Sequence, residues 1–154
     1  MSVEYGLLTG DLEEKKILKV LNDKLQRFFV EMTSEQYNLY KSYKFSKMKK
    51  RNGKSYNPKR IPWDYEYDYV FFHKQYGVYL ELYPNINETG EQKFKKQDVK
   101  WVLYLNECGF YLNNWGIKIN NNNPDIRRFI DFFLKDLPFD VVLLYEYEKG
   151  EDRI

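Results

Sequence analysis

Cysteine and histidine are nearly absent from this 154-residue chain: Cys108 and His73 stand alone. A single thiol excludes an intramolecular disulfide and a multi-cysteine zinc site. A single imidazole excludes any multi-histidine metal centre. Long apolar runs are missing too, and no stretch approaches the roughly 18 residues that a membrane-crossing helix needs. The chain does not open with a basic region followed by an apolar run, so no secretory leader and no membrane partner are expected, and the expected location is cytoplasmic. There is no internal repeat and no linker-like stretch, which leaves one domain spanning residues 1–154. Ser2, Ser34, Ser42, Ser46 and Ser55 all lack the turn context of a catalytic serine.

What is present is aromatic and charged. Hydrophobic residues make up 43% and charged residues 31%, the balance of a folded chain rather than a disordered one. Fifteen tyrosines and eleven phenylalanines bring the aromatic share to 19%. Tyrosine joins a large apolar ring to a polar tip, which suits half-buried sheets and interfaces. The net charge of +2 conceals a dipole. Residues 41–60 carry nine cations and no acid, while the rest of the chain sets 16 basic residues against 23 acids.

Periodicity marks the elements. Asp11 followed by Glu14 has capping-box spacing, and Leu18, Leu21, Leu25, Phe28, Phe29 and Met32 recur as one helical stripe. Thr33 and Gln36 offer a second capping box, which predicts a second helix to about residue 50 with Tyr37, Tyr40 and Tyr43 on one side. Asn52-Gly53, Pro58 and Pro62 then predict a loop. From Trp63 the period falls to two: Trp63, Tyr65, Tyr67, Tyr69 and Phe71 share one strand face, and Asp64, Glu66 and Asp68 the other. A turn at 73–77 and a strand through Val78, Leu80 and Leu82 complete a hairpin. Residues 84–96 read as a polar loop, 99–105 as a further strand, and 110–112 and 115–119 as short strands. Asn123-Pro124 opens a helix whose stripe is Ile126, Phe129, Ile130, Phe133, Leu134 and Leu137. Pro138 ends it. Residues 139–147 form a closing strand, apolar on both faces at 141–144, which predicts a central place in the sheet. The tail 148–154 is charged. The fold class is α+β: a mostly antiparallel sheet of about five to six strands, with two N-terminal helices and one helix before the last strand.

Several chemistries find no adequate residues. Asp64, Glu66 and Asp68 project from one strand face as a metal-binding pair would. Yet Glu91-Gln92-Lys93, the nearest Glu-x-Lys element, falls in a loop. Cys108 and His73 occupy separate turns, with no helix N-terminus to activate the thiol. Asn52-Gly53-Lys54-Ser55 lacks the upstream glycine and the strand of a phosphate-binding loop. Trp63, Trp101 and Trp115 read as core. No cofactor, metal or catalytic residue is expected.

The stretch Lys100-Trp101-Val102-Leu103-Tyr104-Leu105, a turn, Phe110-Tyr111-Leu112-Asn113-Asn114, then Ile117 and a helix ending Arg128-Phe129-Ile130-Asp131 resembles immunity proteins of contact-dependent growth inhibition systems. The resemblance implies a small cytoplasmic protein that binds the toxin domain of a cognate effector, and it assigns no role to an individual residue. The expected function is a non-enzymatic inhibitor that occludes its partner. Asp64, Glu66, Asp68, Glu81, Tyr65 and Tyr67 form the first candidate surface, and Glu146 and Glu148, with Glu151 and Asp152, the second. Two rivals remain: a phage-encoded inhibitor of a defence nuclease would use the same physics, and a nucleic-acid-binding module would instead use the basic segment 41–60, with Lys47, Lys49, Lys50 and Arg51.

Overall fold

The structure is a computed structural model and describes residues 2–32, 43–49, 67–73, 76–87, 90–96, 98–107 and 126–147. In chain order these form β1 (Ser2–Leu8), α1 (Glu14–Met32), β2 (Ser46–Lys49), β3 (Tyr67–His73), β4 (Val78–Pro84), β5 (Trp101–Glu107), α2 (Ile126–Leu134) and β6 (Asp140–Tyr147). The six strands make one sheet in the order β2-β3-β4-β5-β1-β6, and every pairing is antiparallel. The α+β class and the antiparallel sheet therefore hold.

The placement of the elements differs from expectation in three respects. Residues 46–49, assigned above to the end of a second helix, are instead β2, paired with β3 from Ser46↔Val70 to Lys49↔Tyr67. Phe45 explains the change of state. Its ring is buried, and its N–H donates to Asn22 Oδ1 on α1 at 2.8 Å, which docks the chain extended at the sheet edge. Second, β1 was not expected at all, yet it lies between β5 and β6. Third, β6 is the last strand in the order, not a central one. Its apolar run has two faces to fill because Val141 packs toward the helices, while Val142 and Leu144 pack on the other side of the sheet. The remainder of the expected second helix (33–42 and 50), the loop 51–62, the strand start 63–66, the short strands 110–112 and 115–119, the Asn123-Pro124 cap and the tail lie outside the described residues.

Both helices cover the same face. α1 starts at Glu14, where the carbonyl of Glu13, not that of Asp11, accepts the first amides, from Lys16 and Ile17. Its stripe of Leu21, Leu25, Phe28 and Phe29 meets Val3 and Leu7 of β1, Leu80 and Leu82 of β4, and Leu103 and Leu105 of β5. Phe28 packs edge-on against Phe129 of α2, with centroids 4.8 Å apart. Each such buried ring contributes on the order of 2–3 kcal/mol of transfer free energy, and the aromatic seam joins the two helices on this side of the core. Tyr69 pins the start of α1 by donating to Glu14 Oε1 at 2.6 Å.

The opposite face carries a smaller cluster of Tyr83, Val99, Val102 and Tyr104, flanked by Leu8, Phe94, Val142 and Leu144. Asn85 shapes the segment that covers it. Its side chain donates to the carbonyls of Phe94 and Val99 and accepts from the Phe94 N–H. Val99 consequently sits tight on β1 at Gly6, where a Cβ would meet the Val99 methyls at 2.8 and 3.0 Å and Val142 Cγ2 at 3.1 Å. Gly6→Ala should lower stability by about 1–3 kcal/mol, read as a lower urea midpoint with an unchanged denaturant slope. An unaltered midpoint would mean that the valines yield without cost.

Candidate functional site

The face opposite the helices is where the polar residues collect. Cross-strand register places Glu4 of β1 beside Tyr104 of β5, and Tyr104 beside Glu81 of β4. The next row runs from Ser2 through Asn106 to Tyr79. Neighbouring strands lie about 4.8 Å apart, so two carboxylates flank one tyrosine at the centre of the sheet. Glu4 is wholly buried and Glu81 is 2% exposed. Tyr79 donates to Glu81 Oε2 at 3.3 Å, and Asn106 Nδ2 donates to the Tyr104 hydroxyl at 3.0 Å.

Glu4 is balanced from the covering segment. Lys93 Nζ lies 3.7 Å from Glu4 Oε1, donates to the Tyr83 hydroxyl at 3.0 Å and sits 4.8 Å from the centroid of the Tyr83 ring. Burial above all holds the Tyr83 phenol far above the usual tyrosine range, and the charge of Glu4 and a hydrogen bond to it add to the effect. A carboxylate removed from water needs such a partner. The cluster thus closes over Glu4, whose cation comes from a lysine with 34% of its side chain exposed.

The first expected surface is altered by this arrangement. Asp68 and Glu81 do share a sheet face, with Asp68 two residues before Val70, the partner of Glu81. They are, however, 8% and 2% exposed, so neither offers a partner an open carboxylate. Tyr67 begins β3 opposite Lys49. Asp64, Tyr65 and Glu66 lie outside the described residues. Glu4, Tyr83 and Tyr104 were missed as members of the cluster. The alternation Val3-Glu4-Tyr5-Gly6-Leu7 marks a strand with Glu4 on its second face, but the capping residues just after it draw the eye to the helix.

His73 is buried on the helix side. Its ring stacks on Phe29 at 4.3 Å, its Nδ1 accepts the Tyr76 N–H at 2.9 Å, and its Nε2 lies 3.3 Å from the Tyr43 hydroxyl. Those contacts give it a structural task. Cys108 lies outside the described residues. Among the described residues no three acids, histidines or cysteines gather as metal ligands, and no helix is long and apolar enough to cross a membrane.

The second expected surface lies open where it is described. Val30, Phe72, Leu143 and Tyr145 are the large apolar side chains exposed among the described residues, and the two most exposed, Leu143 at 53% and Tyr145 at 46%, are both on β6. Glu146 is exposed beside them. The register slips between Glu4 and Tyr5, which oppose Tyr145 and Leu143 and leave Leu144 unmatched. Such a bulge turns Leu143 to the helix side and Tyr145 to the other. Glu146, back on the helix side, together with Asp131 of α2 helps raise the Tyr5 phenol, after burial and against the opposing Arg127 charge. Glu148, Glu151 and Asp152 lie outside the described residues. Of the basic residues, Lys47 and Lys49 are on β2, and Lys50 and Arg51 lie outside the described residues.

Comparison with protein-family models, curated proteins and solved structures finds no match to this chain.

Two outcomes follow from the closed cluster. Lys93→Met leaves the Glu4 carboxylate buried without its cation and should cost about 3 kcal/mol. Lys93→Met combined with Glu4→Gln should recover most of that loss. A double-mutant cycle in urea measures the coupling, and additive losses would count against it. The alkaline limb provides the other check. The folded chain keeps the Tyr83 proton while the unfolded chain releases it from about pH 10, so stability falls as pH rises past that point. Tyr83→Phe should make the decline between about pH 9.5 and 11 shallower, as followed by denaturation midpoints.

Proposed function

We propose that this chain is a non-enzymatic protein-binding inhibitor that neutralises a partner by occlusion, as an immunity protein neutralises its toxin domain. The observation that carries the proposal is β6, where an exposed leucine and an exposed tyrosine sit beside an exposed glutamate at the end of the sheet. Tyrosine is enriched among the few residues that carry most of the binding energy in protein interfaces, a neighbouring leucine adds apolar area, and peripheral charge steers the encounter. From residue 140 to 152 the sequence has five acids and one lysine, a composition suited to a basic partner such as a nuclease domain. The polar groups that enzyme chemistry would recruit have internal tasks instead: Glu4 faces Lys93, Glu81 accepts from Tyr79, and His73 accepts from the Tyr76 amide.

The test is protection in cells. The C-terminal domain of a secreted effector encoded beside this chain's gene is expressed with and without the chain. Wild type should restore growth, and Leu143→Lys with Tyr145→Ala should weaken binding of the purified domain by at least ~10-fold, about 1.4 kcal/mol. Lys47→Ala with Lys49→Ala should protect as wild type does. Protection lost with the lysines and kept without Leu143 and Tyr145 would reject the proposal. So would tight, salt-sensitive binding of DNA or RNA in a filter assay, because phosphate contacts depend steeply on salt.

A further inference from the structure

Where β1 and β6 meet the flank of α2, an apolar floor is ringed by charge. Tyr5 of β1 and Leu143 of β6 oppose each other in register on the helix side of the sheet. Leu143 is the most exposed large apolar side chain among the described residues, at 53%, and Tyr5 is partly buried beside it. Glu146 opposes Val3 on the same side. Val3 and Tyr5 are two residues apart, about 7 Å along the strand, so Leu143 and Glu146 are spaced to match. α2 supplies the rest. Arg127 and Asp131 stand one turn apart on one flank of the helix, and both are exposed. Burial first, and the charge of Glu146 next, raise the Tyr5 phenol, with Arg127 opposing and Asp131 adding. All three charges therefore stand around that hydroxyl.

The balance of these charges sets what the surface prefers. Arg127 and Asp131 have the spacing of a helical ion pair, which leaves the Glu146 carboxylate in excess. Among the described residues no hydrogen bond or ion pair holds the side chains of Tyr5, Arg127, Asp131 or Glu146. A phenol oxygen and a carboxylate can both accept from one ammonium or guanidinium head. The methylene stem of the same side chain can lie along Leu143 and the Tyr5 ring, as long basic side chains do on apolar surface. An acidic side chain would meet the excess carboxylate and be repelled. An aliphatic one would cover Leu143 but leave Glu146 unmatched.

We infer that Tyr5, Leu143 and Glu146, with Arg127 and Asp131 beside them, form a seat for one arginine or lysine side chain of the protein partner. The inference rests on the protein-binding reading above and supplies the chemistry of its contact. It uses side chains on one face of the sheet and needs no main-chain pairing along β6.

Three blocked synthetic tetrapeptides, Gly-Leu-X-Gly with arginine, citrulline or glutamate at X, test it with the full chain. Citrulline keeps the shape of arginine and lacks its charge. Binding is read by NMR from the Leu143 methyls and the Tyr5 ring at about 50 mM salt, where exposed charges are only partly screened. The arginine peptide should shift these signals saturably, the citrulline peptide should bind at least ~3-fold more weakly, and the glutamate peptide should not bind. Glu146→Gln should weaken the arginine peptide by a similar factor. Arg127→Gln should strengthen it, because a cation competing for the same carboxylates is gone. Asp98→Asn, at an exposed acid on the segment over the opposite face, should change nothing. Lost packing would not give opposite signs at 146 and 127. Equal binding of the arginine and citrulline peptides, weaker binding by Arg127→Gln, or shifts that spare Leu143 and Tyr5 would overturn the inference. Shifts there that grow with protein concentration and no peptide would assign the surface to a second copy, which also overturns it. Growth protection that depends on Leu143, without a preference for arginine, removes the seat but spares the inhibitor. A preference for arginine, with no effector neutralised, does the reverse.

Discussion

A carboxylate at the middle of a six-stranded sheet, cut off from water, constrains most of what surrounds it. Glu4 sits on the strand between β5 and β6 and has no exposure. Both helices pack on the other face, so their apolar stripes cannot accommodate it. The cation must come from a loop, and Lys93 supplies it. The position of Lys93 requires the turn that Asn85 holds, and that turn in turn brings Val99 onto Gly6. Leaving the buried Glu4 carboxylate without its cation would cost several kcal/mol, a large part of the stability of a typical small domain, whereas Lys93 is partly exposed and could turn to water. One ion pair therefore links β1 to the turn that Asn85 holds.

The helix side is governed by ring packing. Phe28 and Phe29 sit adjacent on α1 and point to different neighbours, Phe28 to Phe129 and Phe132 of α2, Phe29 to Tyr43, Phe71 and His73. The imidazole lies nearly parallel to the Phe29 ring and accepts a backbone amide from the turn after β3. Gly77 closes that turn with a positive φ of 78° and donates its N–H to the carbonyl of His73. The only histidine of the sequence thus ties the β3–β4 hairpin to α1.

Periodicity made α1, the β3–β4 hairpin, β5, α2 and β6 legible, because each has a run of large apolar residues at one clear spacing. What was not legible depends on partners distant in sequence. β1 is a seven-residue strand with a glutamate and a glycine on one face, and only Lys93 and Val99 make those two residues sensible there. β2 looks helical because lysine suits a helix as well as a guarded edge, and the deciding contact is Phe45 with Asn22 on α1. The paired valines and leucines of 141–144 show that both faces of β6 are apolar, but not whether a strand lies on each side. The candidate site divides in the same way. Glu146 was legible as the first of a run of acids that continues into the tail, whereas the burial of Asp68 and Glu81 depends on the layer above the sheet.

Of the acids described on the two expected surfaces, Asp68 and Glu81 are buried and Glu146 is exposed. Glu81 shares its face with Tyr79, Tyr83 and Tyr104, and any partner using it would first have to displace that layer. Uncovering buried tyrosines and carboxylates would spend binding energy on rearrangement before a contact formed. Leu143 and Tyr145 require no such step, since about half of each is already in solvent. In the proposed interface their apolar groups would gain by leaving water, and the acids at 140 and 146 would lie beside them, where charge chooses among partners more than it adds affinity. Glu4 lies directly across from Tyr145, so a partner that engages β6 would touch the strand beside the ion pair without having to break it.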